Sequence, residues 1–357
     1  MSTSEWMIYG ATGYTGELAA REAKRRGMRP ILAGRNPERV AALGQELDLP
    51  VRIVGLDDPK SLRAALEAVD LVLHCAGPFV RTSSAMVEAC LASGTHYLDI
   101  TGEIAVFEAI LPLGGKARAA GIVLLPGVGF DVVPTDCLAA SLAAALPDAT
   151  HLELAFVASG GSASRGTLKT MIEAMPDAGA VRKDGKIHPV PLAYDAKEIE
   201  FSCGKRWAMT IPWGDLSTAF HSTGIPNIRV YTGQSPGAIR RARRLRPLLP
   251  IAGLRPVKRF LQWLVQRTVT GPDEAARETS RTFVWGQVDN ASGRRVTGTL
   301  ETPEGYAFTA LSSVECAHRV LAGQVKPGSW TPSKAFGSGF VGDLAGVSVG
   351  DLTSTTG

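Results

Sequence analysis

Apolar residues in the first 130 positions come in short runs, each followed by an amphipathic stretch. The runs at 5–9, 30–33, 51–55, 70–75, 96–100 and 122–125 read as strands, and the stretches at 15–26, 37–46, 59–67, 82–93 and 104–119 as helices. Continuously apolar runs such as Leu71 to Leu73 suit strands buried on both faces. The alternation predicts a parallel sheet flanked by helices. Near Pro126 the pattern changes. Pro134 to Leu146 reads as one apolar helix. Longer strand-like segments follow at 151–157, 198–202, 207–211, 227–233, 281–290, 294–301 and 306–310, with turn signals at 290–293 and 303–305. Helices are expected over 164–175 and 314–321, and the polar end, Ser348 to Gly357, is expected to fray. The expected fold class is α/β: a Rossmann-type parallel sheet (1–148), an inserted, largely antiparallel α+β domain (149–312), and a C-terminal segment (313–357) that returns to the first domain.

The junction of the first strand and helix carries the strongest chemical signal. Residues 5–16 read Glu-Trp-Met-Ile-Tyr-Gly-Ala-Thr-Gly-Tyr-Thr-Gly, which places Gly10, Gly13 and Gly16 in a GxxGxxG spacing. A glycine turn between strand and helix lets the backbone approach a pyrophosphate, whose charge the helix N-terminus then favours. Gly10, Thr12, Gly13, Tyr14, Thr15 and Gly16 are therefore expected to hold a dinucleotide. The second strand ends in Leu32-Ala-Gly-Arg-Asn36, so Arg35 stands where an acidic residue would bind the ribose of NAD. An arginine there suits the extra phosphate of NADP, and NADP(H) is the expected cofactor; the same residue is also compatible with a plain surface loop. Asp57, after the third strand, is a candidate for the adenine side. Gly77, Pro78 and Phe79, after the fourth, are candidates for the nicotinamide ribose.

Bulk properties narrow the class. The chain has 357 residues, 45% hydrophobic and 20% charged, which suits a globular protein of two domains. No apolar run reaches the length of a membrane span and no signal peptide is visible. Five scattered cysteines without CxxC spacing, and six histidines without ligand spacing, argue for reduced thiols, a cytoplasmic setting and no metal site. The net charge of +4 is unevenly placed. From Leu216 to Pro272 there is no Asp or Glu, while Arg229, Arg240, Arg241, Arg243, Arg244, Arg246, Arg255, Lys258, Arg259 and Arg267 fall inside that stretch. Pro256 to Thr268 is amphipathic, with Val257, Phe260, Leu261, Leu264 and Val265 opposite Lys258, Arg259, Gln262 and Gln266. The region 240–267 is compatible with peripheral contact to an anionic membrane, with an acyl-carrier protein, or with a solvated face over a core or dimer helix. Nucleic acid is not expected, because no binding module accompanies the charge.

Several phrases together resemble the saccharopine dehydrogenase-like oxidoreductases: Tyr9 to Gly16, Cys75 to Phe79, Tyr97 to Glu103, Pro126 to Asp136, Ile211 to Asn227 and Trp330 to Gly337. The 211–227 phrase is similar to a signature of the short branch that includes the trans-acting enoyl reductases. The resemblance implies an inserted substrate and dimerisation domain, a homodimer, and NAD(P)-linked redox chemistry. It implies, from the enoyl reductases, reduction of an apolar enoyl or carbonyl substrate, carrier- or lipid-linked. The alternatives are a saccharopine-type amino-acid dehydrogenase and a nucleotide-binding membrane or carrier adaptor without turnover.

No tyrosine is followed four residues later by lysine, which removes the short-chain reductase Tyr-xxx-Lys device. Three groups remain as candidates for the chemistry. Asp99 lies with Thr101 and Glu103 after the fifth strand, where they serve equally as helix caps. Asp131 and Asp136 flank Pro134, beside Gly127 and Gly129, which would leave room for the nicotinamide. His221 lies in the 211–227 phrase near Trp213 and Asp215, able to donate a proton near neutral pH or to serve a structural role.

Overall fold

The computed structural model describes residues 5–160, 168, 172, 179–249, 254–268 and 274–356. The first half alternates as the pattern predicts: β1 (Trp6–Tyr9), α1 (Tyr14–Arg25), β2 (Ile31–Gly34), α2 (Pro37–Leu47), β3 (Val51–Ile53), α3 (Pro59–Leu66), β4 (Leu71–His74), α4 (Phe79–Ser93), β5 (His96–Asp99), α5 (Ile104–Ile110), α6 (Gly114–Ala120) and β6 (Val123–Leu125). These strands are parallel and lie in the order β3-β2-β1-β4-β5-β6, with Gly328–Ser329 added beside β6. This is the strand order of a dinucleotide-binding sheet, and it reverses direction between β1 and β4. β1, β2 and β4 are buried throughout, as their apolar runs require. The single helix expected over 104–119 is split by a 3-10 turn at Leu111–Leu113, because Pro112 lacks the N–H an α-helix needs.

The second half forms a mixed sheet. β7 (Ala149–Ala158), β8 (Ala180–Lys183), β9 (Lys186–Pro189), β10 (Ala196–Phe201), β11 (Gly204–Thr210), β12 (Asn227–Gly233), β13 (Arg281–Asn290) and β14 (Arg294–Pro303) pair antiparallel except for β7 with β12. The β8–β9 hairpin escapes the hydrophobic pattern, although its turn has a local signal: Asp184 and Gly185, at φ 49° and 76°, are the residue types a tight hairpin selects. One face of this sheet receives α7 (Val133–Ala145). Gly286 and Gly298 are opposite each other on β13 and β14, and a Cβ on Gly286 would come within 2.7 Å of Leu142. A Cβ on Gly298 would lie 3.1 Å from Leu138, and 2.6 Å from Leu352 of the tail. The two glycines form the trough that seats the helix.

Two expectations need correction. The segment 306–310 is not a strand; it opens the helix Gly305–Leu321, whose Phe308, Ser312 and Cys316 are buried at helical spacing. A short apolar run cannot be assigned by periodicity alone. The tail does not fray: Ser348–Val349 and Thr353–Thr356 pair with β14, whose edge is otherwise free to accept them. The helix expected over 164–175 lies outside the described residues, apart from Leu168 and Ile172. By contacts, the described residues to Asp131 form one compact unit with Tyr306–Phe336. Val132–Gly305 and the residues from Gly337 form the other. The division falls at 131/132, 305/306 and 336/337, where the sequence pattern predicts 148/149 and 312/313. The reason is that α7 packs on β13 and β14, and the tail completes the second sheet.

His74, at the end of β4, is fully buried among the rings of Tyr9, Phe79 and Tyr97. Burial lowers its pKa to about 3, so it is neutral in the folded chain. The unfolded chain then binds the extra proton between about pH 6.5 and 3, and stability falls as pH is lowered through that window. His74→Phe removes this term: the stability difference between wild type and variant, measured by urea unfolding at several pH values, should grow by up to ~1.4 kcal/mol per pH unit on acidification below pH ~6.5. Independently, Gly286→Val should lower unfolding stability by about 1–3 kcal/mol, because the trough under Leu142 has no room for a side chain.

Candidate dinucleotide site

At the turn after β1, Gly10 has φ 81°, and a Cβ there would lie 2.9 Å from the backbone nitrogen of Ala76. The first turn of α1 is equally tight, since a Cβ on Gly16 would come 2.3 Å from the carbonyl oxygen of Gly10. Gly10 thus allows β1 and the β4 loop to meet, and Gly16 allows the helix to start against the strand end. Gly13 has a different role. It is exposed, it is the N-cap of α1, and no side chain caps the helix there. Its neighbours Thr12, Tyr14 and Thr15 are half-buried around it. Tyr14 packs edge-on against Tyr306 at 4.9 Å, which holds the ring to one side. The result is a bare helix N-terminus in a cradle closed by two glycines, a fit for a pyrophosphate.

The neighbouring strand ends supply the rest of the adenosine half. Arg35 follows β2 and is exposed, and next to it Asn36 caps α2 by accepting from the N–H of Arg39. Arg39 was not singled out by sequence, because only the fold bends its side chain back to donate to the carbonyl of Thr12 at 2.8 Å. Arg35 and Arg39 therefore flank the glycine turn as two cations, with no carboxylate at the end of β2. Asp57 is exposed after β3, and Gly55 leaves the space its carboxylate occupies. Both Arg35 and Asp57 act electrostatically on Tyr9. Burial raises the pKa of Tyr9 and its hydroxyl donates to the carbonyl of Val54.

The other half of the carboxyl edge is built around three acids. Gly77 and Pro78, joined by a cis peptide, lead into Phe79 at the start of α4. The free N–H groups of Phe79 and Val80 donate to the two carboxylate oxygens of Glu103, each at 2.8 Å. Glu103 thus caps α4, an arrangement that the spacing in sequence does not reveal. Asp99 is buried and fully engaged: it accepts from Tyr97, from the N–H of Thr101 and from the N–H of Gly127. Burial raises its pKa to about 6. These bonds fix the loop after β6 to the end of β5. Gly127 takes φ 77°, and Gly129 makes room for Thr309, whose hydroxyl accepts from the N–H of Phe130. Asp131 closes this loop. Its carboxylate lies against Gly102, where a Cβ would be 2.5 Å away. Burial, and next the charge of Glu103, raise its pKa to about 7. Asp99, Glu103 and Asp131 are therefore brought together at the ends of β5 and β6.

His221 belongs to the second unit, on the helix Asp215–Thr223. That helix is anchored to α7 by two bonds: Thr135 donates to the buried Asp215 at 2.7 Å, and the half-buried Ser222 donates to the buried Asp136. Arg182, also unmarked by sequence, lies over Phe220 at 4.2 Å and donates to the carbonyls of Leu216 and Gly185. Much of the 211–227 phrase is thus spent on holding α7, β8 and this helix together. A cleft of about 980 Å³ lies on the sheet of the same unit, lined in part by Glu153, Lys197, Arg229, Trp285, Asp289 and Arg295. Three of its cations are paired: Lys197 with Glu153, Arg229 with Asp195, and Arg295 with Asp289.

Comparison with known proteins agrees with this geometry. Residues 6–125 match the saccharopine dehydrogenase NADP binding domain. A putative trans-acting enoyl reductase of Mycobacterium tuberculosis is 32% identical over 188 residues, 48% of this chain and 44% of that protein. A trans-acting enoyl reductase of Mycobacterium leprae is 36% identical over 138 residues, 36% of this chain and 33% of that protein. The matches thus span less than half the length of these curated relatives. Apo saccharopine dehydrogenase (L-Glu forming) from Saccharomyces cerevisiae has a similar fold, with a TM-score of 0.68 over 99% of this chain and 100% of that one, at 13% identity. With its glycine cradle and the arginine at the end of β2, the parallel-sheet unit is a saccharopine dehydrogenase NADP-binding domain over residues 6–125.

Proposed function

We propose that this chain is an NADPH-dependent reductase of an apolar enoyl or carbonyl substrate, carried on an acyl carrier or a lipid. The observation that carries the reading is the division of labour along the carboxyl edge of the parallel sheet. The β1–β3 half presents a bare helix N-terminus with Arg35 and Arg39, and the β4–β6 half presents Asp131 with a pKa of about 7. In a sheet of this order the first half takes the adenosine and the second the nicotinamide. Bound there, NADPH supplies a hydride to the acceptor carbon. The chain must then supply one proton, to the neighbouring carbon of an enoyl group or to the oxygen of a carbonyl.

Asp131 is the group we assign to that proton. A carboxyl whose pKa is near 7 is protonated for a useful fraction of the time at neutral pH, and it loses the proton without a large penalty. Asp99 serves instead as a positioning residue, because its three hydrogen bonds hold the Gly127 end of the loop that carries Asp131. Glu103 holds α4 and keeps a negative charge beside Asp131, which favours the protonated form. The names of the mycobacterial relatives support the enoyl substrate class.

Three outcomes test this reading. Arg35→Ala should weaken NADPH binding by roughly 10- to 100-fold while leaving NADH binding little changed, the effect of removing one charge-assisted contact to the 2′-phosphate; equal weakening of both cofactors would reassign Arg35. In the Asp131 assignment the required form is protonated, so kcat should be level below about pH 7 and fall up to tenfold per unit above it. Asp131→Asn should lower kcat by ~10²- to 10⁴-fold and remove that limb, with NADPH affinity retained. For the substrate class, 4-deuterated NADPH is incubated with enoyl thioesters, ketones and keto acids, and products are read by mass spectrometry. Deuterium is expected in the enoyl or ketone products. Transfer to keto acids alone, with ammonia or an amine present, would favour an amino-acid dehydrogenase instead.

A further inference from the structure

Helix Arg255–Thr268 presents its two faces in an unusual way. Val257, Leu261 and Val265, at four-residue spacing, are half-buried together with Lys258 and Gln262. The opposite arc is formed by Arg259, Phe260, Trp263, Leu264 and Arg267, and all five are exposed. Phe260 is 59% exposed, Trp263 49% and Leu264 41%. The amphipathic pattern places Phe260 and Leu264 with the buried residues, but the structure turns them outward. Phe260 and Trp263 stack on each other at 5.9 Å, and the guanidinium of Arg267 lies 4.4 Å over the Trp263 ring. A solvated helix carries its charges outward and its aromatics inward. This helix carries its aromatics outward, bordered by arginines.

The preceding helix repeats the combination. Pro236–Leu245 is held to the second unit by Ile239, which is buried, and by Arg243 and Arg246, which donate to the carbonyls of Leu192 and Ala193. Arg240, Arg241 and Arg244 remain exposed, as do Leu245, Leu248 and Leu254. No carboxylate occurs anywhere between residues 216 and 272.

We infer that the helices Pro236–Leu245 and Arg255–Thr268 are a docking surface for an anionic lipid bilayer, with Phe260, Trp263 and Leu264 inserted at the headgroup boundary. The charge pattern selects the occupant. A second copy of the same surface would set arginine against arginine. An acidic soluble protein would match the arginines but not six exposed bulky apolar side chains interleaved with them. A bilayer with anionic headgroups offers both partners at once: phosphates for the arginines, and the acyl boundary for phenylalanine, leucine and tryptophan. Among the described residues no helix is long and apolar enough to cross a membrane, so the contact is peripheral.

The test is flotation of the full chain with vesicles of pure phosphatidylcholine and of equal phosphatidylcholine and phosphatidylglycerol. The chain should float with the mixed vesicles only. Brominated lipid should quench tryptophan fluorescence, and Trp263→Phe should remove that quenching. The triple variant Phe260→Ser, Trp263→Ser, Leu264→Ser should bind about 100-fold less or weaker still. Arg240→Glu with Arg241→Glu and Arg244→Glu should abolish the preference for anionic lipid. Retained NADPH binding shows that each variant is folded. The inference is overturned if the mixed vesicles do not bind, if the triple serine variant floats as well as wild type, or if the same variant instead loses self-association or binding to an acidic acyl-carrier protein.

Discussion

The carbonyl oxygen of Gly10 lies 2.3 Å from the place a Cβ on Gly16 would occupy, and the first unit is arranged around that approach. Because α1 starts so close to the end of β1, its N-terminus opens at the edge of the sheet, between β1 and β4. The positive φ of Gly10 then brings the turn against Ala76, the residue before the Gly77–Pro78 bend into α4. A side chain at either glycine would force the helix outward, and the helix dipole would no longer meet the position a pyrophosphate takes.

The other half of the edge is governed by burial of acids. Burial raises the pKa of Asp99 to about 6 and that of Asp131 to about 7, the charge of Glu103 acts on both, and Asp99 is in addition clamped by three donors. Glu103 links the two acids to α4, since the carboxylate that caps this helix also acts electrostatically on Asp99 and Asp131.

The second unit is organised by a comparable steric device. Gly286 and Gly298 open a trough for Leu138 and Leu142, α7 fills it, and the polar start of α7 then meets the helix Asp215–Thr223 through Thr135–Asp215 and Ser222–Asp136. A phrase in sequence that carries Trp, Asp, Ser, Thr and His reads as chemistry. Much of it is framework, and His221 rides on that framework.

The alternating pattern of short apolar runs and amphipathic stretches determined by itself the parallel sheet and the glycine cradle, because period and turn glycines are local properties, and the expectation of NADP(H) agrees with the NADP binding domain matched over residues 6–125. Local pattern also predicted a largely antiparallel domain after residue 149, without the parallel pairing of β7 with β12, and it mistook 306–310 for a strand and the tail for a frayed end, since these depend on distant partners. Only the tertiary structure decided that Arg39 folds back to Thr12, that Glu103 caps a helix 24 residues upstream, and that Asp99 is saturated with donors. It alone decided which side of helix 255–268 faces outward. The physical reason is the same in each case: hydrogen-bond satisfaction and burial are settled by what the fold brings alongside a residue, and neighbours in space are not written in the spacing of neighbours in sequence.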